Sequence, residues 1–179
     1  MTDRRIKKTK DAIQTAFSKL LSANSMEDIT VKKLCEKADI NKSTFYLHYK
    51  DIYDCADCLR DTILDEVNKV FEPYDFNGII NNFSVILVNI MNVFETNREL
   101  YMPFLKSPSL SSSLCKMKQL LIENVLKKID PNNQDEISRC TVSFVISGII
   151  SVLEQHDFAE INQQTISILA NKVKNGFTH

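Results

Sequence analysis

The chain has 179 residues, enough for one compact domain or two small ones with a sizeable core. Its 44% hydrophobic and 25% charged content is ordinary for a globular protein, and only 3 Gly and 4 Pro argue against a turn-rich β architecture. Net charge is −1, but residues 1–50 carry 11 basic and 6 acidic side chains (+5), whereas the other 129 carry 11 and 17 (−6), a basic head suited to a polyanion.

The opening stretch MTDRRIKKTKDAIQ lacks the apolar run of an export signal, so a cytoplasmic protein is expected. Five Cys, an odd number unevenly spread, read as reduced thiols. Ile6, Ile13, Ala16, Phe17, Leu20 and Leu21 recur at threes and fours and predict a first helix over about 3–22. Thr30 is an N-cap for a second helix with Val31, Leu34, Cys35 and Ala38 inward. "ADIN" is a tight turn, and Asn41 caps a third helix through Tyr49. Asp51 opens a long fourth helix that Pro73 closes. Five more helices are predicted at about 77–95, 98–106, 110–129, 134–154 and 162–176, giving an all-α chain of about nine helices. Residues 76–94 carry no charge, but their five Asn make a buried or interfacial helix the better reading than a membrane span.

Helices two and three have the spacing of a helix-turn-helix, in which the second helix lies in the major groove and the first braces it. Ile40 can plug the turn, and Phe45 and Tyr49, four apart, form the inner face of helix three. The outer face then displays Lys42, Ser43, Tyr46 and Leu47, with Thr44 and His48 at its flanks. Lys42 and Lys50 can neutralise phosphates, and Thr44 and Tyr46 can donate to phosphate oxygens. Lys42, Ser43 and Leu47 are placed nearest base edges, Leu47 against a thymine methyl. Arg4, Arg5, Lys7, Lys8 and Lys10 form a basic arm or first turn for the adjacent backbone. The bland alternative, a solvated cationic face, is common for amphipathic helix pairs.

The string ITVKKLCEKADINKSTFYLHYKDIYDCADCL resembles the DNA-binding domain of the tetracycline-repressor (TetR) family of bacterial transcriptional regulators. Ile29-Thr30-Val31, Leu34, Ile40, Lys42, Ser43, Thr44, Phe45, Tyr46, His48 and Tyr49 carry the likeness, over about residues 5–60. It implies an N-terminal three-helix DNA-binding domain (1–50, motif about 30–49) and a C-terminal helical ligand-binding and dimerisation domain (51–179), joined by the long fourth helix. It adds Thr30 to the DNA-contacting set of Lys42, Ser43, Thr44, Tyr46, Leu47, His48 and Lys50. It further implies a homodimeric repressor on a palindromic operator in double-stranded DNA, modulated by a small-molecule or protein effector. Two positions depart from the pattern: Asp39 replaces the turn glycine, and Ile52 replaces a lysine that touches phosphate. These departures keep open a helical adaptor or co-activator that works through protein contacts with weak or no direct DNA binding.

"FVISGIISVL" (144–153) resembles the family's penultimate helix. Val145, Ile149 and Val152, with Ile166, Leu169 and Val173 of the last helix, are expected at the dimer interface, the alternative being burial within the same chain. Met91, Phe94, Tyr101, Met102, Phe104 and Met117 are candidates for the walls of an adaptable ligand pocket, or ordinary core. Cys55 and Cys58 form a lone CxxC with no second pair to complete a metal site. No phosphate loop, nucleophile elbow or zinc-protease motif occurs, so no enzyme activity, cofactor or metal is expected.

Overall fold

The structure, a computed structural model, describes residues 2–74, 76–129, 136–155 and 163–176. It is all-α, with no strand among the described residues. The helices are α1 (Thr2–Leu21), α2 (Val31–Ala38), α3 (Lys42–Tyr46), α4 (Ile52–Phe71) and α5 (Phe76–Asn81). They continue with α6 (Phe83–Thr96), α7 (Arg98–Lys106), α8 (Ser111–Ile129), α9 (Glu136–Gln155) and α10 (Gln163–Gly176). Short 3-10 turns lie at Met26–Asp28 and Pro108–Leu110. The helix expected over 77–95 is two helices, α5 and α6. Asn82 causes the break: its side-chain Nδ2 donates to the Gly78 carbonyl at 2.9 Å, competing with its own backbone N–H for that acceptor.

The described chain forms two compact units, cut at residues 63, 96 and 115. The first comprises the residues up to Ile63 together with Asn97–Cys115. Its core is made by Ile13, Ala16 and Phe17 of α1, Leu34 of α2, Phe45 of α3, Leu59 and Ile63 of α4, and Phe104 of α7, all nearly inaccessible. Each of the larger side chains among them contributes roughly 1.5–3 kcal/mol through burial. Residues 97–115 join this unit through specific bonds. The buried Ser18 hydroxyl on α1 donates to the Leu100 carbonyl of α7 at 2.7 Å, and the Met26 N–H donates to Ser109 Oγ at 3.1 Å. Arg60, 5% exposed, is held by Asp57 and Asp61 of its own helix and reaches Ser113 at the start of α8. A charge can be buried there because two half-exposed carboxylates compensate it.

The second unit comprises Leu64–Thr96 and the residues from Lys116 onward. Its core is Val67 and Phe71 of α4, Ile86, Ile90 and Phe94 of α6, Met117, Leu121 and Val125 of α8, and Val142, Ile146, Ile150 and Leu153 of α9. α10 packs against α6, where Ser84 Oγ donates to Asn171 Oδ1 at 3.4 Å. The α9 residues recur at threes and fours, so a single stripe of that helix serves the core. None of the helices is long and apolar enough to cross a membrane, among the described residues.

Candidate nucleic-acid interface

The helix-turn-helix is fixed by local polar bonds. Thr30 has extended backbone, and its hydroxyl accepts the Lys33 N–H at 3.3 Å, which starts α2. Asp39 ends it at φ 53°, ψ 50°, among the described residues the one non-glycine in the left-handed region. Its N–H and that of Ile40 both return to the Cys35 carbonyl, closing the turn. The position that the resemblance gives to glycine thus keeps the glycine conformation, and Asp bears it at a steric cost of about 1 kcal/mol.

Asn41 then starts α3. Its Oδ1 accepts from Thr44 N at 2.7 Å, from Ser43 Oγ at 2.6 Å and from Thr44 Oγ1 at 2.8 Å. Three donors converge on one oxygen, so both hydroxyl protons are used inside the turn. In this arrangement Thr44 could donate to phosphate only by turning its hydroxyl away from Asn41. α3 is also shorter than expected. Beyond Tyr46 the chain tightens, with His48 N donating to the Phe45 carbonyl at 2.9 Å, and it leaves helical form before Tyr49.

Phe45 and Tyr49 point inward as expected, stacked at 5.7 Å with planes tilted by 36°. They prop the opposite face of α3 outward. Among the described residues the Tyr49 hydroxyl is a buried side-chain group without a hydrogen bond; Gln14 lies beside it in poorer geometry than a bond requires. Burial holds its pKa well above the usual phenol range, so the hydroxyl stays protonated, with the neighbouring Cys55 thiol adding to the effect.

Lys42, Ser43, Tyr46, Leu47 and Lys50 are exposed, Leu47 at 81%, while Thr44 and His48 are half-buried. Thr30 is exposed at the start of α2 and keeps a hydroxyl proton to give. Arg4, Arg5, Lys7, Lys8 and Lys10 are exposed within α1, so the basic arm is helical.

The fourth helix begins with two carboxylates. Asp51 Oδ1 accepts the Asp54 N–H and Asp54 Oδ2 accepts the Lys50 N–H, each at 2.8 Å, a variant of the capping box. Ile52 is 7% exposed and belongs to the core, so the phosphate contact that a lysine would make there is lost. The adjacent Tyr53, 61% exposed in the same turn, was missed by sequence reading. Its aromatic character at a first-turn position was the available signal.

Both thiols of the CxxC are held above the usual thiol value. Burial pushes Cys55 up to about 12, with Cys58 and Asp54 adding; burial and then Asp54 raise Cys58, opposed by Lys10.

The six pocket candidates are divided. Tyr101, Met102 and Phe104 are buried in the first unit, and Met91, Phe94 and Met117 in the second. Phe94 and Met117 line a cavity of about 30 Å³ with Phe71, Ile90, Ile149 and Leu153. Its walls are apolar, and its volume is that of about one water. Of the interface candidates, Val145, Ile149 and Val152 are half-buried and Leu169 is 42% exposed; the side chains of Ile166 and Val173 lie outside the described residues. Phe144 at 70% and Ile168 at 51% are also exposed, and periodicity placed neither on the chosen face.

No protein-family model and no curated protein matches the chain. Solved structures do. The TetR transcriptional regulator from Streptococcus agalactiae is 24% identical with a TM-score of 0.64, over 97% of each chain. The fatty acid degradation regulator FadR from Bacillus halodurans is 12% identical with a TM-score of 0.66, over 96% of this chain and 97% of that one. A gamma-butyrolactone receptor, described as ArpA-like, is 11% identical with a TM-score of 0.58, over 96% and 98%. The fold of this chain is therefore that of the TetR-type regulators, along nearly its whole length.

Proposed function

We propose that the chain is a homodimeric regulator of transcription that binds palindromic operator DNA through α3. The observation that carries this is the outer face of α3 and the segment just after it, where Lys42, Tyr46, Leu47 and Lys50 stand exposed around a helix started by Asn41 and backed by Phe45. Lys42, Lys50 and Tyr46 would hold phosphates, while Leu47 would meet a thymine methyl. Dimerisation through the exposed apolar positions of α9 and α10 would pair two such helices at about 34–36 Å, one turn of duplex. An effector acting on the second unit would shift the spacing of the two heads. The name of one structural neighbour, a gamma-butyrolactone receptor, supports a small molecule in that role. Such a molecule would have to widen the cavity beside Phe94 and Met117.

The test is a gel shift on the DNA upstream of the chain's own coding region, with excess non-specific duplex. A retarded band should survive the competitor and weaken steeply with salt, since each neutralised phosphate releases counterions. Lys42→Ala or Tyr46→Ala should lower affinity at least about tenfold, with dimerisation and melting unchanged. Equal affinity in both variants would remove the assignment. A second reading rests on the buried Ile52: with one phosphate contact gone, the chain would act as an adaptor through protein contacts. A band that vanishes with the competitor favours that reading.

A further inference from the structure

One surface of the first unit is unused by the proposed DNA contact. A groove of about 1090 Å³ runs between α1 with the loop after it and α7 with the turn after it. Lys19 stands on the α1 wall, and Arg98, Met102 and Lys106 stand on the α7 wall. Those three recur every fourth residue, so they form one stripe with a cation at each end. At about 1.5 Å of rise per residue, the two cations are roughly 12 Å apart along the helix. Lys19 and Lys106 are exposed, and neither is in an ion pair among the described residues. Arg98 keeps a partner within the chain, but a guanidinium has donors to spare for a second.

Between the cations the lining holds apolar Leu21, Met102 and Pro103, the first two nearly covered, and the exposed Glu99, whose carboxylate restricts where a partner's acid can approach Arg98. Pro103 has no N–H, so the Glu99 carbonyl, also on the groove, lacks the donor that a helix would normally supply. The groove thus offers separated cations, apolar surface and a backbone acceptor. It is too open to enclose a drug-sized molecule, which needs most of its surface buried. A nucleic-acid backbone would leave the apolar stretch unmatched.

We infer that this groove docks an acidic segment of a protein partner. Two carboxylates about 12 Å apart meet Arg98 and Lys106, an apolar side chain between them lies on Met102, and Lys19 adds attraction from the opposite wall. In an extended segment at about 3.3 Å per residue, the two acids are four residues apart. Charge complementarity of this kind sets partner choice and encounter rate. The inference does not require that α3 touch DNA.

Random peptides of about twelve residues, displayed on phage, test it. They are selected on the full chain and counter-selected on the Lys19→Glu/Lys106→Glu double variant, whose fold is checked by its circular-dichroism melt. The expected survivors carry two acidic residues four apart around an apolar one. By fluorescence anisotropy without DNA, Lys106→Glu alone should weaken them about fivefold to tenfold. Met102→Ala should also weaken them, with no change in salt dependence. Four results overturn the inference: no enrichment, survivors without acids, affinity indifferent to Lys106→Glu, or displacement by a short non-specific duplex. A change in oligomeric state of the Lys106→Glu chain would assign the groove to a second copy instead, and would overturn it too.

Discussion

The two units are held together in different ways. In the first, each short helix begins or ends on a named polar bond, at Thr30, Asp39, Asn41 and Asp51, and even a buried arginine is tied to its neighbours. In the second, long helices meet mainly through aliphatic and aromatic side chains, and the side-chain bond from Ser84 to Asn171 lies at the surface. Polar bonds fix direction to within a few degrees, while apolar packing tolerates sliding. A unit that presents side chains to a partner in register gains from the first kind of construction. One that accommodates an effector or a second copy gains from the second.

That contrast can be broken by experiment. The largest effect is expected from Phe45→Ala, which empties a fully buried site behind α3 and should cost about 3–5 kcal/mol in urea unfolding. A cost below about 1 kcal/mol would mean that caps alone hold the helix. Asn41→Ala should cost about 1–2 kcal/mol, because three donors lose one acceptor, whereas Ser84→Ala in the second unit should change stability by less than about 0.5 kcal/mol. Hydrogen exchange on α1–α3 would show whether the Asn41 loss stays local, and equal costs for the two variants would erase the distinction. Asp39→Gly should stabilise the first unit by up to about 1 kcal/mol by removing strain at positive φ. The smallest effect concerns pH. Cys55 titrates higher folded than unfolded, so its contribution is intact below the ordinary thiol value of 9.0 and fades as pH rises from there to about 12. Cys55→Ala should flatten that alkaline decline in a melting series, and an unchanged slope would assign the decline to other groups.

Much of the first unit was legible because its determinants are local. Thr30, Asn41 and Asp51 announce helix starts by chemistry that acts within three or four residues, and the Phe45/Tyr49 spacing announces an inner face. The membership of residues 97–115 was not legible, since it depends on Ser18 meeting Leu100 across 82 positions. Arg60 reads in sequence as one more solvated charge, and its burial follows from where Asp57, Asp61 and Ser113 converge. The break at Asn82 is hidden in an uncharged run with several Asn, because nothing in the sequence says which of them bonds a carbonyl one turn back. The candidate contact residues on α3 were nameable from their spacing, but the state of their hydroxyl protons was not.

That state has a consequence for base preference. With the Ser43 and Thr44 protons both turned toward Asn41, what these hydroxyls hold out is lone pairs. In the major groove the groups that seek lone pairs are the exocyclic amines of adenine and cytosine. Under the proposed contact of α3 with DNA, adenine or cytosine opposite the exposed Ser43 oxygen would be matched without disturbing the turn, while guanine O6 or thymine O4 there would force the hydroxyl to swing away and loosen the start of the helix.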